Sequence, residues 1–130
     1  MADEPLRVLI CDDEPGMRLI LGKLVGKAEG FEVVGEAENG EQALEMFEKT
    51  HPQVVFLDVE MPVMDGVETA RRIQDMDPHA ALVFATAHEG YREEAFAVYA
   101  FDYLVKPFRN ERVLATLERI RRMFGGRQNL

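Results

Sequence analysis

The chain has 130 residues, 47% of them hydrophobic and 30% charged, with a formal net charge of −9; this length suits one domain around one core, and the balance excludes a disordered chain. No apolar run approaches the roughly 20 residues a membrane-spanning helix needs, and the acidic balance argues against direct nonspecific nucleic-acid binding, which takes clustered Lys and Arg. The single cysteine, Cys11, excludes an internal disulfide, and Met1-Ala2-Asp3-Glu4-Pro5 lacks the basic flank and apolar segment of a signal peptide, so a cytoplasmic protein with no membrane partner is expected.

Apolar segments alternate with amphipathic ones. Leu6–Cys11 reads as a strand and closes on the acidic pair Asp12-Asp13. Residues 14–28 read as a helix with Met17, Leu21, Leu24, Val25 and Ala28 on one face. Pro15 is tolerated in its first turn, where the N–H groups have no intrahelical partner. Phe31–Ala37 is a second strand. Asn39 with Gln42 predicts a capping box, opening a short helix whose Ala43, Leu44 and Phe47 face inward.

Residues 53–57 form a third strand that closes on Asp58. Asp65 with Glu68 predicts another capping box and a helix to about residue 75, broken by Asp77-Pro78. Residues 80–85 are a fourth strand closing on Thr86, residues 89–98 a fourth helix, and residues 101–105 a short fifth strand closing on Lys106-Pro107. Asn110 is expected to cap a final helix with the core stripe Val113, Leu117, Ile120 and Phe124. Gly125-Gly126 is expected to end it, so that residues 1–124 form the domain and residues 125–130 a tail or the start of a linker. Arg119, Arg121, Arg122 and Arg127 make this end basic, either as a solvated helix end or as a contact surface.

Strands alternating with helices predict an α/β fold: a doubly wound, five-stranded parallel sheet with helices on both faces. The nearly continuous apolar runs fit strands covered on both sides. The expected order is 2-1-3-4-5, with right-handed crossovers and a reversal of direction between strands 1 and 3. Asp12, Asp13 and Asp58 then meet in the crevice at the carboxyl ends of the strands.

Three neighbouring carboxylates repel one another unless a cation intervenes. Mg²⁺ suits the need, since it prefers oxygen ligands and takes one or two protein carboxylates together with waters and phosphate oxygens. Asp13 and Asp58 are expected as direct ligands, the Glu60 backbone carbonyl as a third, and Asp12 through water. The Glu60 side chain is expected over the pocket mouth, repelling an anionic donor or orienting water. Asp58, closing the central strand, is the expected nucleophile toward phosphorus. Lys106 supplies a second cation, and Pro107 holds it out of helical conformation. Thr86 offers a hydroxyl to a phosphoryl oxygen, or is simply a β-branched strand residue. His88, two residues on, either tunes phosphate lifetime or is a solvated residue at a helix start. His51 and His79 read as loop residues, and no histidine or cysteine spacing suggests zinc.

Asp12-Asp13-Glu14, Asp58-Val59-Glu60-Met61-Pro62 with Met64-Asp65-Gly66, Thr86-Ala87 and Tyr103-Leu104-Val105-Lys106-Pro107-Phe108 together resemble a bacterial response-regulator receiver domain of the CheY-like kind. The resemblance runs from about residue 6 to residue 124. It implies a flavodoxin-like fold, Mg²⁺-dependent phosphorylation of Asp58 by a sensor histidine kinase, and a cis Lys106-Pro107 bond. It also implies a switch in which Thr86 turns toward the phosphoryl group and Tyr103 swings inward. The face made by the fourth helix, fifth strand and fifth helix should change, with Phe96, Tyr99, Tyr103 and Val113 as candidates and a phosphorylation-dependent homodimer as one outcome.

Tyr91, Ala95-Phe96 and Tyr99-Ala100-Phe101-Asp102 extend the last motif and resemble receivers that precede LytTR-type DNA-binding domains, which regulate transcription. DNA would then be reached only through a C-terminal output domain absent from this chain, which is a fragment of a longer regulator or a stand-alone receiver. The expected chemistry is limited to the chain's own phosphorylation and dephosphorylation. A phosphatase or dehalogenase working through an aspartyl intermediate typically has a second Asp where this chain has Glu60, and a cap domain for which there is no room. A receiver-like scaffold without phosphorylation is opposed by the complete acidic set with Thr86 and Lys106.

Overall fold

Along β1 (Leu6–Cys11), Val8 and Ile10 enter one apolar core while Leu9 and Cys11 enter another. Successive side chains of a strand point to opposite faces, so a strand with apolar side chains on both faces must be covered on both. The structure is a computed structural model; it describes the backbone of residues 4–128 and the side chains of residues 4–125. After β1 come α1 (Pro15–Lys27), β2 (Phe31–Ala37), α2 (Gly40–Thr50), β3 (Val54–Leu57), α3 (Gly66–Met76) and β4 (Ala81–Thr86). A 3-10 turn (Glu89–Tyr91), α4 (Arg92–Ala97), β5 (Asp102–Val105) and α5 (Asn110–Gln128) complete the chain.

All strand pairs are parallel and the order is β2-β1-β3-β4-β5, as expected of a flavodoxin-like sheet. Leu21, Leu24 and Val25 of α1 join Val113, Leu117 and Ile120 of α5 beneath one face. Phe47 of α2, Ala70 and Ile73 of α3 and Ala95 of α4 cover the other.

The helix starts follow their caps. Asn39 Oδ1 accepts from the Gln42 N–H at 2.8 Å, while the Gln42 amide reaches back to the Glu38 N–H at 2.9 Å, one residue beyond the expected partner. Asp65 Oδ1 accepts from the Glu68 N–H at 2.8 Å. Glu68 does not close the expected box, because its carboxylate pairs with Arg71 and Arg72.

Three expectations are corrected. The fourth helix is split, with Gly90 in the 3-10 turn and a close at Tyr99, whose φ of 56° is left-handed. The Ala100 N–H then returns to the Ala95 carbonyl at 3.0 Å, the long bond of a Schellman-type close. Asn110 is the first residue of α5 rather than its cap; the carbonyl of Arg109 receives the Arg112 and Val113 N–H groups. Gly125-Gly126 does not end α5, which continues to Gln128. Glycine weakens a helix by about 1 kcal/mol but, unlike proline, keeps its N–H and need not stop it. Residues 129–130 of the expected tail and the Arg127 side chain lie outside the described residues.

Candidate functional site

The strand ladders run on into the crevice. Beyond the ends of β1 and β3, the Asp12 N–H donates to the Ala37 carbonyl at 3.0 Å and the Asp58 N–H to the Cys11 carbonyl at 3.1 Å. The Lys106 N–H likewise donates to the Thr86 carbonyl at 2.8 Å. Asp12, Asp58 and Thr86, from different strand tips, are therefore fixed by sheet backbone and are all buried.

Lys106 Nζ donates to Asp12 Oδ2 at 2.8 Å and to Asp58 Oδ2 at 2.9 Å, with Glu14 Oε1 at 3.7 Å. The second oxygens of the two aspartates are held by backbone: Asp12 Oδ1 accepts from the Glu14 N–H at 2.9 Å and Asp58 Oδ1 from the Glu60 N–H at 3.2 Å. Burial pushes the Asp12 carboxyl up from its ordinary pKa, against the pull of Lys106. Burial alone would lower the Lys106 ammonium, but its bonds to Asp12 and Asp58 outweigh this and raise it. The ammonium stays charged. The Lys106-Pro107 bond is cis, as the resemblance implied.

Asp13 and Glu14 are exposed beside this pair. Asp12, Asp13, Glu14 and Asp58 each offer one carboxylate oxygen, all lying within 4.8 Å of one another. A set of hard oxygen donors opening on a cleft fits Mg²⁺. Glu14 was absent from the expected ligands, although it directly follows the acidic pair in sequence. The Glu60 side chain stands apart from that group: its carboxylate meets His88 Nε2 at 2.9 Å, and both residues line a cleft of about 650 Å³ over Asp58.

Gly66 was legible only as part of the Met64-Asp65-Gly66 motif, yet it shapes the site. Its N–H donates to the Val59 carbonyl at 2.7 Å, and a Cβ there would collide with the Asp58 carbonyl oxygen. Only glycine lets α3 start so close to the acid. In the same loop Val63 has a φ of 72°, a strained conformation for a β-branched residue.

Thr86 is buried, and its Oγ1 accepts from the His88 N–H at 3.3 Å. Tyr103 is already inward: its ring lies 6.0 Å from that of Phe84, its hydroxyl donates to the His88 carbonyl, and Arg92 covers the ring at 4.9 Å. Burial pushes its phenol up from the ordinary pKa. Of the other expected surface residues, Phe96 and Tyr99 are 82% and 81% exposed, whereas Val113 is core. Asp102, opening β5, accepts from Arg112, Thr116 and Arg119 of α5 at 2.6–2.8 Å. Against the cost of burial, the Arg112 and Thr116 bonds lower its pKa to about 2.

A flavodoxin-like parallel sheet with a lysine-bridged acidic crevice at its switch point defines a class of phosphate- or metal-handling α/β domains. Residues 8–118 match the response regulator receiver domain, and the chain belongs to that family as the receiver domain of a two-component response regulator. The positive alginate biosynthesis regulatory protein of Pseudomonas aeruginosa is 42% identical over 118 residues, covering 90% of this chain and 48% of that protein. The chemotaxis protein CheY of Thermotoga maritima is 38% identical over 116 residues, covering 88% of this chain and 96% of CheY. The transcriptional regulatory protein LytR of Staphylococcus aureus is 38% identical, with 89% and 47% covered. The chain thus spans about half the length of the first two-component relatives it matches, 46–48% of each.

Among solved structures, the response regulatory domain of mrkE from Klebsiella pneumoniae superposes with a TM-score of 0.88 at 29% identity, covering 93% of this chain and 99% of that one. A Borrelia burgdorferi chain from a CheX-CheY-BeF3-Mg+2 complex gives a TM-score of 0.83 at 27% identity, with 90% of each covered. Among the described residues no helix is long and apolar enough to cross a membrane.

Proposed function

We propose that Asp58 accepts a phosphoryl group from a phosphohistidine of a sensor kinase. The observation that carries this reading is the Lys106 ammonium shared between Asp12 Oδ2 and Asp58 Oδ2 at the strand tips. In the transfer an Asp58 oxygen attacks phosphorus, an O–P bond forms, and the N–P bond breaks. The leaving imidazole keeps that electron pair and takes up a proton. Lys106 remains as a charged donor toward the new phosphoryl oxygens, and the Thr86 hydroxyl is free to donate to one of them. The chain's work is positioning and charge neutralisation. Asp12, Asp13, Asp58 and the Glu60 backbone carbonyl would hold Mg²⁺, with Glu14 near enough to assist. The bound ion supplies positive charge for the phosphoryl oxygens. The solved relative in a complex with BeF3 and Mg+2 supports this assignment.

The doubly charged product draws the Thr86 hydroxyl toward the phosphoryl group, and Tyr103 and the face of α4, β5 and α5 respond. Phe96 and Tyr99, exposed on α4 and at its close, suit a phosphorylation-dependent homodimer. Relatives named as regulators of transcription and of alginate biosynthesis support a gene-control output, with DNA contacted by a C-terminal output domain rather than by this acidic receiver. The site acts only on the chain's own phosphoryl group, in the cytoplasm.

The test is labelling with acetyl phosphate and Mg²⁺. Wild type forms an acid-stable, base-labile acyl phosphate and Asp58→Asn does not. Intact labelling of the variant would refute the assignment.

A further inference from the structure

Asp13 is exposed, and among the described residues no hydrogen bond or ion pair holds its carboxylate. Its direction is therefore set by its backbone, and Arg18 of α1 grips that backbone on both sides. The Arg18 N–H donates to the Glu14 carbonyl at 3.2 Å, and Arg18 Nη1 donates to the Asp12 carbonyl at 2.7 Å. The Asp12 carbonyl belongs to the peptide that joins Asp12 to Asp13. With this bond every polar atom of Asp12 has a partner: its N–H reaches the Ala37 carbonyl, and its carboxylate oxygens take the Glu14 N–H and Lys106 Nζ. The guanidinium is itself held at the end of β2, with Nε 3.1 Å from Glu36 Oε1 and Nη2 3.6 Å from Glu38 Oε1. Only 13% of the Arg18 side chain is exposed. A planar fork of donors can serve a carbonyl and two carboxylates at once.

We propose that Arg18 is a positioning residue for Mg²⁺: it fixes the Asp12-Asp13 peptide, and through it the Asp13 carboxylate, before the ion binds. The inference rests on the reading of Asp13 as a ligand. A ligand set in place by an outer partner does not have to be ordered when the ion arrives. Charge alone predicts the opposite effect. Arg18 is a cation beside a cation site, and without it Glu36 and Glu38 lose their partner, so on Coulombic grounds its removal tightens Mg²⁺ binding. The two effects differ in sign.

The experiment titrates Mg²⁺ into the unphosphorylated chain and takes the Kd from the amide NMR shifts of residues 12–14. Arg18→Met, which keeps the apolar stem, weakens binding about ten-fold, the lower end of what losing an outer partner costs. Arg18→Lys keeps the charge but loses the fork, and lies between that variant and wild type. Saturating Mg²⁺ returns acetyl phosphate labelling of both variants to the wild-type rate, as a residue acting through the ion requires. Equal or tighter binding by Arg18→Met overturns the inference and leaves the metal site standing. Should that variant not fold, Arg18→Lys decides, and wild-type affinity in it overturns the inference. A labelling deficit that persists at saturating Mg²⁺ overturns it too. Wild type that binds no Mg²⁺, or Asp13→Asn that binds it undiminished, overturns the metal reading and Arg18's part with it.

Discussion

Lys106 Nζ lies 2.9 Å from Asp58 Oδ2, although the two residues are 48 positions apart in the chain. The contact crosses β4, since Asp58 follows β3 and Lys106 follows β5. The cation also reaches Asp12 at 2.8 Å, so a single ammonium bridges two buried acids.

Removing that ammonium leaves the acids uncompensated. Lys106→Met should cost about 3 kcal/mol at pH 7, read from the urea midpoint, as expected when one partner of a buried pair is lost. The deficit shrinks in acid as the Asp12 carboxyl, whose pKa burial raises, protonates. The folded-state pKa of Lys106 is raised, so its contribution is complete below the ordinary lysine value of about 10.4 and is lost as pH climbs through the folded one. An unchanged midpoint at pH 7 would mean that the contact contributes nothing.

Mg²⁺ should stabilise the fold. A ligand bound only to the native state adds about 2.7 kcal/mol at a hundred times its Kd. Thermal melts with and without Mg²⁺ should differ for wild type and barely differ for Asp13→Asn. Ca²⁺ at equal concentration controls for ionic strength. Equal shifts in both proteins would remove Asp13 from the ligand set.

Asp102 predicts an acid transition. Its folded pKa of about 2 lies below the ordinary aspartate value of about 3.9. Its contribution is therefore present above about pH 4 and lost as pH falls toward 2, and is worth about 2 kcal/mol. Asp102→Asn should be less stable at pH 7, with the gap to wild type closing by pH 2. Parallel stability curves across that window would show that the α5 arginines hold β5 without this charge.

Gly66→Ala tests the close approach. The added carbon meets backbone rather than a flexible side chain, so the loop after β3 has to shift. A loss of about 3 kcal/mol is expected, at the upper end of overpacking costs, with slower labelling of Asp58. Wild-type stability in this variant would mean that the loop yields freely.

Much of this arrangement is legible from residue order. Four of the strands are mostly apolar and run to a polar residue at the carboxyl end, so Asp12, Asp58, Thr86 and Lys106 could be assigned to one edge before any distance was known. Caps at Asn39 and Asp65 are local chemistry and were equally readable. The Glu60–His88 contact was not, because it joins two loops whose course depends on tertiary packing. Gly66 was read only as part of the Met64-Asp65-Gly66 motif, since nothing in a one-dimensional pattern reveals that Asp58 backbone lies against it. Gly125 and Gly126 carried a real propensity against helix, but a propensity of that size does not decide where α5 ends. Tyr103 was expected to arrive inward only after phosphorylation; the His88 carbonyl offers its hydroxyl a partner there already.

The buried acids are anchored to sheet backbone, whereas Glu60 and His88 sit in connecting loops. Substitution at the loop positions can therefore reshape the rim of the pocket without disturbing the groups anchored to the sheet.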